Sequence, residues 1–280
     1  MWFPDWPVTA AGFSAETPAA VVSADRVVAR TPAAATEGVV IGQRRRQAQR
    51  RCPNIELIDH DPDRAAREFE PIVRAVAELS PRFDVIEPGW ISLAARGPSR
   101  YFGGDLPLAE KLLAVVMSGD VIGGEAAGSE SASRVGGSAV VGGATVRPGI
   151  GIADGRFASS VAARLSVRRG EPVMVEPGEA PAFCADLPIG WLQTLGESDP
   201  ELVELFTRLG LRRLGDLAEL SPSDVIGRFG HPGVHAHRLA SGADVRPPST
   251  TDPAPECRLD QVLDDPAAQS GAVIFTAKQL

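Results

Sequence analysis

The chain has 280 residues, of which 44% are apolar and 23% charged, so it can bury a sizeable core and is typical of a soluble globular protein. Its formal net charge of −8 argues against a surface coated for nucleic acid, although a basic face can still exist locally. No apolar run reaches the ~18 residues that a membrane span needs, and Cys52, Cys184 and Cys257 lack metal-binding spacing, so we expect a cytoplasmic protein with reduced thiols.

Short strands and helices, separated by turn residues, are predicted for the first 60 residues. Pro4 and Pro7 interrupt the apolar start of the chain, and Ala24-Asp25 separates two apolar runs as a hairpin turn does. In chain order we predict a short helix at Val8–Ala11, a hairpin at Ala19–Ser23 and Arg26–Ala29, a helix at Gln43–Arg51 and a strand at Asn54–His60.

A long amphipathic helix is predicted to follow, capped by Asp61 with Pro62 in its first turn. Pro71 should kink this helix or restart it. The next predicted elements are a buried strand at Asp84–Leu93, a helix at Pro107–Met117, a Gly- and Ser-rich flexible insertion or weak hairpin at 119–143, a helix at Arg156–Leu165 capped by Asp154, and a strand at Glu171–Glu176.

Short helices are predicted beyond the proline-rich connection at Pro177–Pro188. Asp199-Pro200 and Ser221-Pro222 have the pattern of helix starts, and Gly210 has that of a helix end. Asp244–Pro255 is a proline-rich linker, and an apolar segment after it resembles the first helix of a further domain. We therefore expect the chain to be part of a longer protein.

An arginine-rich segment stands out at Gln43–Arg51, which carries five arginines and no acidic residue. Such a helix can be a solvated face, a contact with DNA phosphates or a contact with a protein partner. Arginine suits phosphate because its planar guanidinium donates two hydrogen bonds at once. The sequence leaves these three alternatives open.

No other catalytic or metal-binding motif assembles in the sequence. His231, His235 and His237 have spacings that a metal could use, but no acidic or cysteine partner is close, and solvent-exposed histidines are the favoured interpretation. A P-loop and a nucleophile-elbow motif are absent, and Gly149–Gly155 is one residue off the dinucleotide pattern.

The segment DVIEPGWISL at Asp84–Leu93 is similar to the palm motif SIDEAYLDL of Y-family (translesion) DNA polymerases. Gly38–Pro53 resembles the fingers segment GVRSAMPMAEALRLCP of that family, and Gly151–Phe157 resembles part of SVGIAPNKFLAKIAS. The resemblance implies an α+β fold with a palm of mixed or antiparallel sheet and helices, small fingers, and an all-helical helix-hairpin-helix thumb.

The same resemblance implies how the chain is divided. Residues 1–10 and 72–184 would form a palm-like part, with 119–143 as its flexible insertion. Residues 11–71 would form a fingers-like part, 185–243 a thumb-like part, 244–255 a linker, and 256–280 the start of a truncated little-finger domain.

A dismantled metal site is the main functional implication of the resemblance. The metal-binding carboxylates of the family fall on Phe3, Glu87 and Pro88, of which only Glu87 is an acid. One carboxylate cannot bridge the two Mg²⁺ ions of nucleotidyl transfer. Asp84, three residues before Glu87, should face the opposite side of the strand. We therefore expect no catalytic residues, no bound metal and no cofactor.

Two further positions of the family hold the nucleotide triphosphate and correspond to Pro32 and Ala35. Neither side chain can donate a hydrogen bond to phosphate. The loss of these positions together with the carboxylates points to a site that is no longer used.

Within the family, the patterns PDWP, RRxAQRRCP and EPG resemble the non-catalytic ImuB-like branch. This implies a DNA-binding adaptor in DNA-damage tolerance and induced (SOS) mutagenesis. Its implied partners are DNA, the alpha subunit of an error-prone C-family polymerase, an ImuA- or RecA-like protein and the sliding clamp. Two alternatives stay open: a weakly active Y-family DNA polymerase that uses Mg²⁺, and an inert truncated fragment.

The expected DNA contacts are basic residues and one helix-hairpin-helix turn. The thumb-like turn comes first, with the backbone of Gly210 and Leu211 and the side chains of Arg212 and Arg213. The other candidates are the arginine-rich helix and one surviving basic position of the palm-like part: Arg44, Arg45, Arg50, Arg51 and Arg156. At the family's glycine-rich turn this chain has Glu197, which would repel phosphate.

Overall fold

The computed structural model of the chain describes residues 1–117, 139–141 and 144–244. Most of the predicted insertion at 119–143, the predicted linker beyond Asp244 and the predicted segment at 256–280 lie outside the described residues.

Helices dominate the described residues, and the strands are short. The helices are α1 Trp6–Ala10, α2 Pro32–Thr36, α3 Arg45–Arg51, α4 Pro62–Leu79, α5 Arg96–Phe102, α6 Asp105–Met117, α7 Arg156–Arg169, α8 Ala180–Ala185, α9 Trp191–Thr194, α10 Pro200–Arg208, α11 Leu214–Ala218 and α12 Pro222–Ala240. The strands are β1 Ala19–Ser23, β2 Arg26–Arg30, β3 Glu56–Asp59, β4 Phe83–Glu87, β5 Trp90–Leu93, β6 Ala139–Val141, β7 Ala144–Val146, β8 Gly151–Ile152 and β9 Val173–Met174. The predicted α+β class is confirmed.

The fingers-like part contains a three-stranded sheet with the order β2-β1-β3. The predicted hairpin of β1 and β2 is confirmed, and its turn residues Ala24 and Asp25 have φ values of 47° and 63°. β3 pairs with β1 in parallel. The loop before α3 is bonded to β2, since the Val27 amide donates to Gln43 O at 2.9 Å and Val27 O accepts from the Gly42 amide at 2.7 Å. These bonds position the arginine-rich helix beside the sheet.

The palm-like part is organised around the first three residues of the chain. Trp2 and Gly149 exchange backbone hydrogen bonds of 2.8 and 2.9 Å, and on the other side the Ile91 amide donates to Met1 O at 3.0 Å. The segment therefore joins the β4-β5 hairpin to the β8-β9 parallel pair. β6, at the end of the predicted insertion, pairs antiparallel with β7, which follows the insertion.

The predicted single buried strand at Asp84–Leu93 is wrong, because the segment is a hairpin of β4 and β5. Pro88 and Gly89 form its turn, and Gly89 has the positive φ of 98° that the third residue of a type II turn requires. A bulge lies between Val85 and Glu87. Because of this extra residue, Asp84 and Glu87 lie on the same face of the hairpin, which overturns the expectation that they face opposite sides.

Gly89 has a second constraint besides its φ value. A Cβ atom at this position would lie 2.5 Å from the Cβ of Trp6 and 3.4 Å from the carbonyl oxygen of Phe3. We therefore predict that Gly89→Ala lowers the free energy of unfolding by about 2–3 kcal/mol, measured by urea denaturation.

Gly42→Ala is the matched control for this substitution. Gly42 also has a positive φ, of 86°, but no atom lies within 4 Å of a Cβ built there. Its replacement should cost about 1 kcal/mol from backbone strain alone. Equal losses for the two variants would show that the contact with Trp6 does not matter.

Two hydrophobic clusters flank the palm-like strands. One contains Phe3, Phe69, Ile91 and Leu108 and packs α4 and α6 against the strands. The other begins at Trp90 and runs through α7 into the thumb-like helices, where Phe206 and other residues continue it. The hairpin thus contributes to both clusters, and the thumb-like part is anchored to the palm-like part.

The helix caps follow the sequence prediction at α4 but not at α7. Asp61 accepts a hydrogen bond of 2.9 Å from the Arg64 amide, as a capping residue does. Contrary to the prediction of a kink or restart, α4 continues through Pro71. The predicted Asp154 cap of α7 is wrong, because Asp154 instead accepts from the Gly178 amide at 2.6 Å. Asp244 accepts from the Phe157 amide of α7 at 2.9 Å.

The thumb-like part consists of α9 to α12. The helix α12 is interrupted at Gly230, which has φ 63° and ψ −158°. Among the described residues, no helix has the length and apolar character needed to span a membrane.

Candidate functional site

A cleft of about 1270 Å³ lies between the fingers-like, palm-like and thumb-like parts. Its fingers-like wall includes Val28 and Ile41, apolar side chains that are 39% and 54% exposed. Its thumb-like wall includes Trp191 from α9. The β4-β5 turn and the start of the chain form the palm-like wall, so the residues predicted for a polymerase site face this cleft.

The structure brings together Phe3, Glu87 and Pro88, all of which line the cleft. The amide of Phe3 donates to Gly89 O at 2.7 Å, which joins the first strand to the turn. The Phe3 ring is 1% exposed, because it packs into the aromatic core below the turn. Glu87 is exposed at the edge of the cleft.

Asp5 is the other carboxylate that lines the cleft among the described residues. Its Oδ1 accepts a hydrogen bond of 3.1 Å from the Arg30 amide, so this carboxylate is already bound to the fingers-like sheet. Burial raises the pKa of Asp5, although the amide and charge of Arg30 oppose the shift.

The donor set of the cleft does not fit a pair of divalent cations. Phe3 and Pro88 have no side-chain oxygen, and Mg²⁺ requires hard oxygen ligands. Within the described part of the chain, no group of three or more His, Cys, Asp or Glu side chains is placed to hold a metal ion. The histidines predicted to be exposed have other contacts: His235 Nε2 lies 3.2 Å from Glu197 and His237 Nε2 lies 3.0 Å from Leu220 O.

Arg164 of α7 is the residue of the cleft that the sequence analysis missed. Its guanidinium carbon lies 4.8 Å from the ring centroid of Trp2 and 4.5 Å from that of Trp90. Burial lowers the pKa of Arg164 to about 10, and the nearby Glu87 carboxylate opposes this shift. The available sequence signal was an arginine within the mostly apolar stretch Val161–Leu165 of α7.

The positions predicted for triphosphate binding lie on α2, away from the cleft lining. Pro32 is the first residue of this helix, and Thr31 caps it by accepting from the Ala34 amide at 3.3 Å. Ala35 follows on the same helix. The side chains at these positions contribute no donor to a phosphate.

The arginine-rich helix α3 presents most of its arginines to solvent. Arg44, Arg50 and Arg51 are exposed, and among the residues that the structure describes no carboxylate lies within ion-pair distance of them. Arg45 differs from these three because it forms an ion pair with Asp59 of β3. Three of the four arginines predicted here are therefore available to a phosphate.

The thumb-like turn has no free backbone donor at the residues predicted to bind phosphate. The amides of Gly210 and Leu211 donate to Thr207 O at 3.1 Å and to Phe206 O at 3.0 Å. A DNA contact at this turn stays a prediction that depends on side chains.

The two arginines after the turn are partly committed to acidic neighbours. The amides of Arg212 and Arg213 both donate to Asp216 Oδ2 at 2.8 Å, which lowers the pKa of Asp216. The Arg213 guanidinium also binds Asp186 at 2.9 Å. Residues 185–244 carry nine carboxylates and only five arginines, so this surface is unfavourable for phosphate.

Arg156 does not face the cleft that contains Glu87. It lines a different cavity, of about 1020 Å³, and its guanidinium lies 3.9 Å from Glu197 Oε1. The Glu197 side chain is 11% exposed and also contacts His235. The sequence predicts that Glu197 would repel phosphate. In the structure its carboxylate instead contacts Arg156 and His235.

Comparison with known proteins identifies the fold and its relatives. The family model described as the impB/mucB/samB family matches residues 13–121. The chain is 33% identical over 95 residues to a DNA polymerase IV from Methanoculleus marisnigri, which is 34% of this chain and 25% of that protein. It is 34% identical over 97 residues to a DNA polymerase IV from Caulobacter vibrioides, which is 35% of this chain and 23% of that protein.

Solved structures extend the likeness to most of the described chain. DinB from Sulfolobus solfataricus superposes with a TM-score of 0.60 at 15% identity, over 83% of this chain and 61% of that one. A ternary complex of Dbh gives a TM-score of 0.61 at 14% identity, over 85% of this chain and 65% of that one. The chain therefore has the fold of these DNA polymerase structures.

This fold agrees with the one predicted from the palm and fingers motifs. The family-model match covers the fingers-like segment and the β4-β5 hairpin. The aligned segments span about a quarter of the length of the curated relatives. The activity of those relatives as whole proteins therefore comes to this chain only as a proposal.

Proposed function

We propose that this chain is the polymerase-like part of a DNA-binding adaptor that acts in DNA-damage tolerance without joining nucleotides itself. Its similarity to DNA polymerase IV proteins supports a role on DNA. One observation carries the non-catalytic part: Phe3 and Pro88 flank Glu87 in the cleft, and the remaining carboxylate, Asp5, is bound to the Arg30 amide.

A more specific proposal follows from the sequence patterns PDWP, RRxAQRRCP and EPG. They favour an ImuB-like adaptor in induced mutagenesis. The proposed partners are DNA, an error-prone C-family polymerase alpha subunit, an ImuA- or RecA-like protein and the sliding clamp. Co-purification of the full-length protein with each partner tests this list one partner at a time.

The competing function is a weakly active Y-family polymerase that uses Glu87 together with Asp5. The observation that favours it is that both carboxylates line the same cleft. Against it, Asp5 Oδ1 already accepts a hydrogen bond from Arg30, and its raised pKa disfavours the charged form that metal binding requires.

Primer extension distinguishes the two functions. We predict that the full-length protein, with Mg²⁺ or Mn²⁺ and a primed template, extends no primer, because too few oxygen ligands are present for two metal ions. A DNA polymerase IV serves as the positive control. Template-dependent extension that Glu87→Ala abolishes would refute the adaptor proposal. A gel shift with the 280-residue chain tests whether it binds DNA or is an inert fragment.

A further inference from the structure

Arg164 is held in the cleft by contacts with three residues. Its guanidinium lies over the indole rings of Trp2 and Trp90, and its Nη1 donates to Ser160 O at 3.3 Å. Trp90 is 8% exposed, and Trp2 forms a β-bridge to Trp90, so both rings belong to the rigid sheet. Stacking on two aromatic faces favours a cation at this point.

The charge of Arg164 is placed near the last carboxylate of the dismantled metal site. Arg164 and Glu87 line the same cleft, together with Pro88 and Phe3, and the two charges interact. With a pKa of about 10, the guanidinium is protonated at neutral pH. A positive charge therefore lies in the same cleft as the carboxylate to which a divalent ion would bind, and the two influence each other.

We propose that the Arg164 guanidinium is the resident cation of this cleft, where it stands in for a divalent metal ion beside Glu87 and keeps such ions out. The inference rests on the proposed function, because it assumes that the cleft corresponds to the metal site of a polymerase. It goes further because it attributes the absence of metal binding to the presence of Arg164 as well as to the missing carboxylates at Phe3 and Pro88.

Two physical arguments support this assignment. A divalent cation that approaches Glu87 meets the like charge of Arg164, which is packed over Trp2 and Trp90, and repulsion in a partly buried site is stronger than in water. Glu87 in turn gains a nearby positive charge without any metal. Restoring a second carboxylate alone should therefore not restore metal binding.

Mn²⁺ binding measured by electron paramagnetic resonance tests the proposal. Pro88→Glu restores a carboxylate at a turn position that accepts residues other than proline. Arg164→Met removes the charge but leaves a side chain that can pack between two rings. We expect the wild-type chain and Pro88→Glu to show no Glu87-dependent Mn²⁺ binding, and the double variant to bind at least about tenfold more tightly than Pro88→Glu.

Three controls make the outcome decisive. Adding Glu87→Gln to the double variant should abolish the gain, which assigns the ion to this cleft. Combining Arg164→Lys with Pro88→Glu keeps a cation between the rings and should behave like Pro88→Glu alone. Circular dichroism and thermal melting check that each variant is folded.

Two results would overturn the inference. They are Glu87-dependent Mn²⁺ binding by the wild-type chain and binding by Pro88→Glu as tight as that of the double variant. If Arg164→Met does not fold, Glu87-dependent Mn²⁺ binding by Pro88→Glu alone would still overturn the inference, because Arg164 is present in that variant. Mn²⁺ binding without primer extension would remove only the role of Arg164, whereas primer extension by the wild-type protein would remove the proposed function.

Discussion

Gly151→Ala is expected to lower the free energy of unfolding by about 3 kcal/mol or more, which is among the largest effects of any single methyl group in this chain. A Cβ atom on Gly151 would overlap the amide nitrogen of Ala163 and the carbonyl oxygen of Ser159, and would lie 2.6 Å from the carbonyl carbon of Ala162. All of these are backbone atoms of α7, so no change of rotamer relieves the overlap.

The strain would act at the junction that supports the cleft. Gly149 has the same constraint, since its Cβ would lie 2.7 Å from Val167 Cγ2 and would overlap Ala163 O. Between the two glycines, the Ile150 amide donates to Ser166 Oγ at 3.0 Å. Separating the strand from α7 would therefore break this bond and shift the helix that carries Arg164.

Urea denaturation followed by circular dichroism measures this prediction. Gly97→Ala is the matched control, because Gly97 lies in α5, no atom lies within 4 Å of a Cβ there, and its φ is not in the left-handed region. In a helix this control should be neutral or stabilise by up to about 1 kcal/mol. A Gly151→Ala variant as stable as Gly97→Ala would show that strand and helix are less closely packed than described.

Local sequence signals predicted much of the fold. The β1-β2 hairpin follows from two apolar runs around Ala24-Asp25, and the start of α4 follows from Asp61-Pro62. The error at Asp84–Leu93 has a specific cause. One strand was predicted through the Pro88-Gly89 pair, whereas this pair is a turn between two strands. The bulge between Val85 and Glu87 has no sequence signal that could have been used.

The candidate site, like the fold, was predicted only in part. Phe3, Glu87 and Pro88 were predicted to lie together because motifs placed them on neighbouring strands, and the structure places all three on one cleft. Arg164 was missed because its partners Trp2 and Trp90 are distant in sequence and meet it only through tertiary packing. The sequence does not show that the amides of Gly210 and Leu211 already donate to Thr207 and Phe206, because a turn motif does not reveal which donors the preceding helix uses.

Neutralising the exposed arginines of α3 is expected to weaken DNA binding more than neutralising the thumb-like pair. The sequence analysis ranked Arg212 and Arg213 first, but the surroundings of the two surfaces now favour α3. Gly38–Pro53 contains five arginines and no acid, whereas carboxylates outnumber arginines nine to five in residues 185–244. Phosphate binding depends on the local potential, so the basic helix has the advantage.

The triple variant Arg44→Gln, Arg50→Gln and Arg51→Gln should lose about tenfold to a hundredfold in affinity for duplex DNA near 0.1 M salt. If each arginine contacts one phosphate, the slope of log K against log salt should fall by about 0.9 per residue, or nearly 3 in all. Fluorescence anisotropy over a range of salt concentrations measures both quantities. The loss should be similar for unrelated DNA sequences, because phosphate contacts carry no base information.

The comparison variants identify which surface binds. Arg212→Gln with Arg213→Gln should change the slope by less than about 1, because the Arg213 charge is already paired with Asp186 and Asp216 lies beside both residues. Arg74→Gln, which breaks an exposed pair with Glu70 on α4, controls for loss of an arginine elsewhere and should leave binding unchanged. A larger loss from the thumb-like pair than from the α3 triple would return the DNA contact to the thumb-like turn and leave α3 as a surface for a protein partner or for solvent.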